Sequence, residues 1–312
     1  MKLALPQSMR GEVEPNLPED IDVRWYEGAP EDSDALADAD AAWINILDGD
    51  GQARALAAGP KLRWVHTIQA GVNTWPLQRM RERELVFTNG AGLAAPAIAE
   101  FVAMGMLALI KNLKGLIELQ VERRWAPWSL GGGDLAGSTV LIVGYGSIGR
   151  EIARRLEGFE VEVTGVRRHP EGEPGVIGPD DWRARLGEFD WVVLAAASTS
   201  ETQGMIGVAE LQAMKRGARI VNVARGELID QAALVAALKD GRLGGALLDV
   251  THPEPPPSDD PIWTAPNALL TSHSSAVSQT FYQRAATLFL HNLDRYRSGQ
   301  PLRNRVDLEL GY

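Results

Sequence analysis

The chain has 312 residues, too many for one small core and suited to two domains of ordinary size. Its 45% hydrophobic and 23% charged residues are those of a soluble globular protein, and a formal charge of −10 argues against nucleic acid, whose phosphates need a basic surface. The absence of cysteine excludes disulfides, thiolate zinc sites and a cysteine nucleophile together.

In chain order, Met1-Lys-Leu-Ala-Leu-Pro6 meets a proline and then acidic residues, leaving no room for the apolar region of a signal peptide. No run of about 18 apolar residues follows, so a cytoplasmic protein with no membrane span is expected. Residues 22–26, 42–46, 63–67 and 85–88 are compact runs bounded by Gly, Pro or acidic residues and predict strands. The acidic stretch 31–40 reads as a helix or a solvated loop. Strands alternating with helices imply a parallel sheet covered on both faces. From Pro96 the pattern changes: residues 97–114, with Met104, Met106, Leu107, Leu109 and Ile110, are apolar nearly all round and predict a buried helix with Glu100 in its first turn. A less ordered stretch carrying Trp125, Trp128 and Gly131 to Gly133 leads into a second strand–helix series from Ser138 to about residue 275.

That series opens with a buried-strand run, residues 139–143, and a helical run, 148–156. Between them stands Gly144-Tyr-Gly-Ser-Ile-Gly149, a G-x-G-x-x-G in the strand–turn–helix setting of a dinucleotide site. Gly144 permits the tight turn, Gly146 lets backbone approach a pyrophosphate, and Gly149 lets helix and strand pack closely. The helix N-terminus offers free N–H groups to the phosphates. An NAD site carries an acidic residue about 20 residues further on. Here the next strand, 160–166, runs into Arg167-Arg168-His169. Two guanidiniums where a carboxylate is expected suit a ribose 2′-phosphate and predict NADP(H), with NAD(H) as the lesser cofactor. The alternative is that the arginines are a solvated loop pair.

Three later strands end in polar residues, where open α/β sheets present ligand groups. Residues 218–223 lead to Ala224-Arg225-Gly226-Glu227, residues 245–248 to Asp249 and Glu254, and residues 268–272 to His273. A cation, carboxylates and an imidazole thus fall on the sheet edge that carries the glycine turn. Of the other histidines, His66, His169, His252 and His291 read as surface or packing groups. No metal site is read.

The ordered set of motifs resembles the D-isomer-specific 2-hydroxyacid dehydrogenases. It runs through Thr67-Ile-Gln-Ala-Gly-Val-Asn73, Phe87-Thr-Asn-Gly-Ala-Gly92, Ala97-Ile-Ala-Glu100, Leu135-Ala-Gly-Ser-Thr-Val140, the glycine turn, Asn222-Val-Ala-Arg-Gly226, Asp249 to Pro255, and Asp260 to His273. The resemblance implies an α/β fold of two Rossmann-like doubly wound domains. A NAD(P)-binding domain, residues 98–279, is inserted in a flavodoxin-like split substrate domain made of residues 1–97 and 280–312, with a hinge at the two crossings that lets the cleft close.

By the same resemblance Arg225 binds the substrate carboxylate and the reacting carbonyl oxygen, Glu254 hydrogen-bonds His273, and His273 is the general acid/base. Backbone N–H groups at Ala70, Gly71 and Val72 hold the carboxylate. The cofactor contacts are Gly144, Tyr145, Gly146, Ser147, Ile148, Gly149, Arg167, Arg168, Ala197, Val223, Ala224 and, beside the nicotinamide carboxamide, Asp249. The chemistry agrees: reduction of a 2-oxo acid leaves an alkoxide that a histidine can protonate, a neighbouring carboxylate favours and orients the imidazolium, and a guanidinium fork matches a carboxylate. Two alternatives stay open: the Glu254 segment as a rigid exposed loop only, and Asp249 as a strand-end cap.

The expected activity is NADPH-dependent reduction of a small 2-oxo acid, glyoxylate or hydroxypyruvate, to the D-2-hydroxy acid by a homodimer, with Trp125 and Trp128 compatible with its interface and equally with the core. The competing readings are a phosphoglycerate or other D-2-hydroxyacid dehydrogenase using NAD, and a dinucleotide sensor without chemistry. An intact Arg225, Glu254 and His273 argue against the sensor. Departures from the family pattern are the absence of prolines in Ala196-Ala-Ser-Thr-Ser-Glu-Thr202, Asn73 in place of Asp, and Ser274-Ser275 beside the histidine.

Overall fold

A computed structural model describes residues 1–32, 34–125 and 132–310. Trp128 and Gly131, singled out above, and the last two residues of the expected C-terminal segment lie outside the described residues. The chain divides into two compact units, Met1–Leu93 with Ser278–Tyr312, and Ala94–Val277. The boundaries fall after Leu93 and Val277 rather than after residues 97 and 279, the first of them just ahead of the helix that holds Pro96 in its first turn, where its missing N–H costs no hydrogen bond.

In the first unit the elements are β1 (Lys2–Pro6), α1 (Arg10–Val13), β2 (Asp22–Tyr26), β3 (Ala41–Trp43), α2 (Gly49–Ala58), β4 (Trp64–His66), α3 (Leu77–Glu82) and β5 (Val86–Thr88). The sheet is parallel, in the order β2-β1-β3-β4-β5. The inner strand β1 is absent from the sequence expectations, where its five residues read as a terminal run. Alternate residues feed two cores: Leu3, Leu5, Ala41 and Trp43 pack on one face with the C-terminal helix Phe281–Arg297, and Ala4, Ala42 and Ile44 on the other. The acidic stretch, Ser33 apart, forms two short 3-10 turns that bury Ala35 and Leu36, so it is neither a regular helix nor a wholly solvated loop.

His66, on β4, is fully buried among Trp43, Trp64 and Phe289. Its Nδ1 lies 2.9 Å from Thr88 Oγ1, which also accepts from Trp64 Nε1. Burial pushes its pKa from 6.5 down to about 3. The unfolded chain therefore takes up this proton more readily than the folded one. Its contribution is fully present above pH 6.5 and falls away towards pH 3, by about 1.4 kcal/mol for each unit. His66→Phe keeps an aromatic ring that cannot titrate. We expect a shallower fall of Tm with acid between pH 6.5 and about 4 in this variant; parallel curves for both proteins would assign the acid sensitivity to other groups.

The second unit contains α4 (Ala95–Ile110), α5 (Leu113–Val121), β6 (Thr139–Val143), α6 (Ser147–Leu156), β7 (Glu162–Val166), β8 (Val176–Ile177), β9 (Trp191–Leu194), α7 (Val208–Ala213), β10 (Arg219–Asn222), α8 (Gln231–Lys239), β11 (Gly245–Leu248) and β12 (Ala268–Leu270). The seven-stranded sheet runs β12-β11-β10-β9-β6-β7-β8, and its order reverses between β6 and β9. Both faces are covered: Val140 and Ile142 of β6 enter one core, Leu141 and Val143 the other.

Helix α4 lies close on the sheet; a Cβ at Gly105 would come within 2.2 Å of the Leu247 side chain. Two expectations for α4 need correction. Its surface is not buried all round, since Met104 is exposed, and Glu100 stands in the second turn, paired with Arg155 of α6 at 3.2 Å. Among the described residues no single helix is long and apolar enough to cross a membrane; α4 and α5 together approach that length but are bent by 65°.

Candidate active site

The glycine turn leaves β6 at the reversal of strand order. Gly144 has φ +100°, and a Cβ there would stand 2.4 Å from the Ala196 nitrogen on the loop after β9. At Gly149 a Cβ would press to 2.4 Å of the Gly144 carbonyl oxygen, so helix and strand meet as closely as the motif demands. In front of Gly146 there is open space: a Cβ would meet nothing within 4 Å. Gly146 also caps α6 without a side-chain hydrogen bond, which leaves the first-turn N–H groups around Ser147, Ile148 and Gly149 to a ligand. This cradle, which a side chain at Gly146 would fill, fits the pyrophosphate of a dinucleotide.

Gly144, Tyr145 and Gly146 line a cavity of about 380 Å³ together with Arg167, Arg168, Ala197, Thr199 and Glu201. The guanidinium of Arg150 lies over the Tyr145 ring at 5.0 Å and is hydrogen-bonded to Glu173. Arg168 Nη2 donates to Glu201 at 2.5 Å. The Arg167 side chain has no hydrogen bond or ion pair among the described residues.

The loops after β10, β11 and β12, three neighbouring parallel strands, carry Arg225, Glu254 and His273. Arg225 is exposed, and among the described residues its only side-chain bond runs from Nη1 to the Ala224 carbonyl at 2.7 Å. The buried Asn222 braces this loop, accepting from Ala224 N–H at 3.1 Å and donating to Arg225 O at 2.9 Å. Val223 and Ala224 are buried in the core, so their side chains hold the loop down. A Cβ at Gly226 would fall 2.0 Å from the Thr251 carbonyl, so the Arg225 loop passes hard against the segment that leads to Glu254.

His273 Nδ1 lies 2.7 Å from Glu254 Oε1. A carboxylate can only accept, so Nδ1 carries the hydrogen, and Nε2 is the ring atom left to exchange a proton. His273 has φ +51°, in the left-handed region. Asp249 holds it there. The His273 N–H donates to the Asp249 carbonyl at 2.8 Å, and the carboxylate accepts from Ser274 N–H, Ser275 N–H and Thr271 Oγ1 at 2.8, 3.0 and 2.7 Å. Burial raises the Asp249 pKa, but the bonds from Ser275, Thr271 and the Ser274 N–H together outweigh it and keep the carboxyl below its usual range. These are the contacts of a strand-end cap that shapes the histidine loop. They also give the two serines beside the histidine a part in the loop, through the Asp249 carboxylate. Asp249, Glu254 and His273 line a second cavity, of about 410 Å³, with Pro255, Pro256 and Trp263.

In the first unit, residues 70–72 follow β4. Asn89 Nδ2 donates to Ala70 O at 2.8 Å, and the N–H groups of Ala70, Gly71 and Val72 have no protein acceptor among the described residues. Three adjacent unpaired donors suit an anion.

The sequence-based site omits Asn222, Thr271, Gly226 and Glu201. All four fall within segments quoted above, but none is given a role there; the roles of Thr271 and Glu201 come from partners 22 and 33 residues away.

Residues 103–275 match the family model described as D-isomer specific 2-hydroxyacid dehydrogenase, NAD binding domain. The glyoxylate reductase of Korarchaeum cryptofilum is 31% identical, the alignment covering 98% of this chain and 94% of that one. A D-isomer specific 2-hydroxyacid dehydrogenase family protein from Aeromonas salmonicida superposes with a TM-score of 0.80 at 30% identity, over 98% of this chain and 99% of its own. A D-isomer specific 2-hydroxyacid dehydrogenase from Xanthobacter autotrophicus, solved with NADPH and MES, superposes at 0.78 with 27% identity, over 100% of this chain and 99% of its own. The chain belongs to the D-isomer specific 2-hydroxyacid dehydrogenase family and is an oxidoreductase.

Proposed function

We propose that the protein reduces a small 2-oxo acid, glyoxylate or hydroxypyruvate, to the D-2-hydroxy acid, with NADPH preferred over NADH. The observation that carries the reading is the 2.7 Å His273–Glu254 pair on strand-end loops next to the Arg225 loop. The glyoxylate reductase relative supports the substrate class. Arg167 and Arg168 at the end of β7, and the NADPH-bound relative, support the cofactor preference.

In this reading the glycine turn and the α6 N-terminus hold the pyrophosphate, Arg167 and Arg168 the 2′-phosphate. Bound there, the reduced nicotinamide supplies the hydride. Arg225 pairs its guanidinium with the substrate carboxylate and polarises the carbonyl oxygen, and the N–H groups of Ala70, Gly71 and Val72 also serve the carboxylate. His273 delivers a proton from Nε2 to the developing alkoxide, while Glu254 keeps Nδ1–H in place and stabilises the charged ring. Asp249 holds the loop on which His273 stands; its expected place beside the carboxamide remains part of the reading.

The test is NADPH oxidation with a panel of 2-oxo acids, run in parallel with NADH. Turnover of glyoxylate or hydroxypyruvate with NADPH as the better cofactor is the expected result. Tight NADPH binding with no turnover of any 2-oxo acid would overturn it in favour of a sensor, and a tenfold preference for NADH in kcat/KM would overturn the cofactor assignment.

We further propose a homodimer. Met104 of α4, Leu116, Ile117 and Val121 of α5, and Trp125, 93% exposed, are apolar side chains exposed on the second unit. A second copy of the chain is the occupant that the family resemblance implies. Ile117→Asp, placing a charge among these side chains, is expected to convert a dimer to a monomer in light scattering at micromolar protein. A dimer of unchanged affinity would move the interface elsewhere.

A further inference from the structure

Strand β7 ends without the carboxylate that would receive a ribose 2′-hydroxyl, yet a carboxylate faces the same place from another loop. Glu201, on the loop after β9, lines the cavity that Gly144, Gly146, Arg167 and Arg168 also line, and its Oε2 lies 2.5 Å from Arg168 Nη2. The loop is not slack. Thr202 Oγ1 donates to Ala197 O at 2.7 Å and accepts from Thr199 N–H at 2.8 Å, Gln203 N–H donates to Thr199 O at 3.0 Å, and Gly204 N–H donates to Glu227 O at 2.8 Å. Glu201 is thus presented on a hydrogen-bonded turn across the cavity from the end of β7. Among the described residues Arg167 is the lining cation left unpaired there; Glu173, which stands near it, is already committed to Arg150.

We infer that Glu201 sets the cofactor discrimination of this site. It offers the ribose 2′-hydroxyl of NADH the acceptor that β7 lacks, and it is the counter-ion that the 2′-phosphate of NADPH displaces from Arg168. The inference rests on the reading that Arg167 and Arg168 hold the 2′-phosphate. An exposed ion pair of this kind is worth a factor of up to about five in an equilibrium constant, and a second anion beside the phosphate adds repulsion of similar size. Of the three guanidiniums that line the cavity, Arg183 is already paired with Glu210 at 3.3 Å, so Arg167 and Arg168 stand against one movable anion, which favours NADPH without excluding NADH.

The test separates the two claims by direct binding. Calorimetric titrations with 2′,5′-ADP and with 5′-AMP are made on the full-length wild type, on Glu201→Gln and on the Arg167→Ala/Arg168→Ala double variant. Steady-state kcat/KM for NADPH and NADH is measured alongside. Glu201→Gln is expected to raise the ratio of 2′,5′-ADP to 5′-AMP affinity by about tenfold, through tighter 2′,5′-ADP and weaker 5′-AMP binding, and to shift the NADPH/NADH ratio the same way. The double variant is expected to lose 2′,5′-ADP affinity by about tenfold or more. If the double variant loses 2′,5′-ADP while Glu201→Gln leaves the ratio unchanged, Glu201 has no part in discrimination and the 2′-phosphate reading stands. If the double variant keeps 2′,5′-ADP affinity, the 2′-phosphate reading falls and the inference with it.

Discussion

The His273→Gln variant is expected to lose a factor of about 100 or more in kcat while its Kd for NADPH stays within about twofold of the wild type. Glutamine can still donate a neutral hydrogen bond, but its amide yields no proton at neutral pH, so the alkoxide produced by reduction goes unassisted. General acid catalysis is commonly worth about 10²–10⁴ in rate, which sets the scale. Cofactor affinity is the internal control, because the cavity at the glycine turn is lined by neither His273 nor Glu254. The backbone needs a control as well, since His273 stands at φ +51°. His273→Asn serves for that, asparagine being among the residues most at home in the left-handed region. Both variants should fall together. Activity retained in either, with Kd intact, would remove His273 from the acid role.

Much of the second unit is legible from its sequence because its strands carry a strong local signal. Residues 139–143 and 245–248 are buried runs that each follow a glycine-containing turn, and β6 and β11 fall on them residue for residue. The glycine turn is legible for a related reason: close backbone approach leaves glycine as the only choice, and the structure places Ala196 and Gly144 backbone where Cβ atoms would stand. The three polar strand ends follow from the parallel order of β10, β11 and β12, which brings the C-terminal ends of successive strands to one edge.

What the sequence hides is fixed by partners distant in the chain. Asp249 reads as one polar residue at a strand end; its bonds to Thr271, Ser274 and Ser275 exist only once β11 and β12 are side by side. Glu201 stands in the sequence only as part of a loop that lacks two prolines; its pairing with Arg168 exists once the end of β7 and the loop after β9 line one cavity. Strand β1 is hidden differently, by its five-residue length and its place at the chain start, although β2 and β3 both pair with it. Periodicity reports which face a residue turns to the core, and says nothing of which loop it will meet.

Arg225→Ala is expected to cost about 10⁴ or more in kcat/KM for the 2-oxo acid, with loss in both KM and kcat. Two effects add. The carboxylate loses a charge-assisted fork, worth about 1.5–3 kcal/mol for each hydrogen bond, which weakens binding. The carbonyl oxygen loses a donor aimed at its developing charge, worth about 10²–10³ in kcat where such donors have been removed. The fold should bear the change well. Arg225 is exposed, its one side-chain bond among the described residues goes to the neighbouring Ala224 carbonyl, and the loop backbone is braced by Asn222 rather than by the guanidinium. Tm and the Kd for NADPH should therefore stay close to wild type, which separates a lost contact from a damaged loop. Arg225→Lys, which keeps the charge but not the planar fork, should fall between the two. An alanine variant with unchanged KM for the 2-oxo acid would take Arg225 out of the carboxylate site. One with normal KM but depressed kcat would leave it only the carbonyl oxygen, and the carboxylate would then rest on the N–H groups of Ala70, Gly71 and Val72 alone.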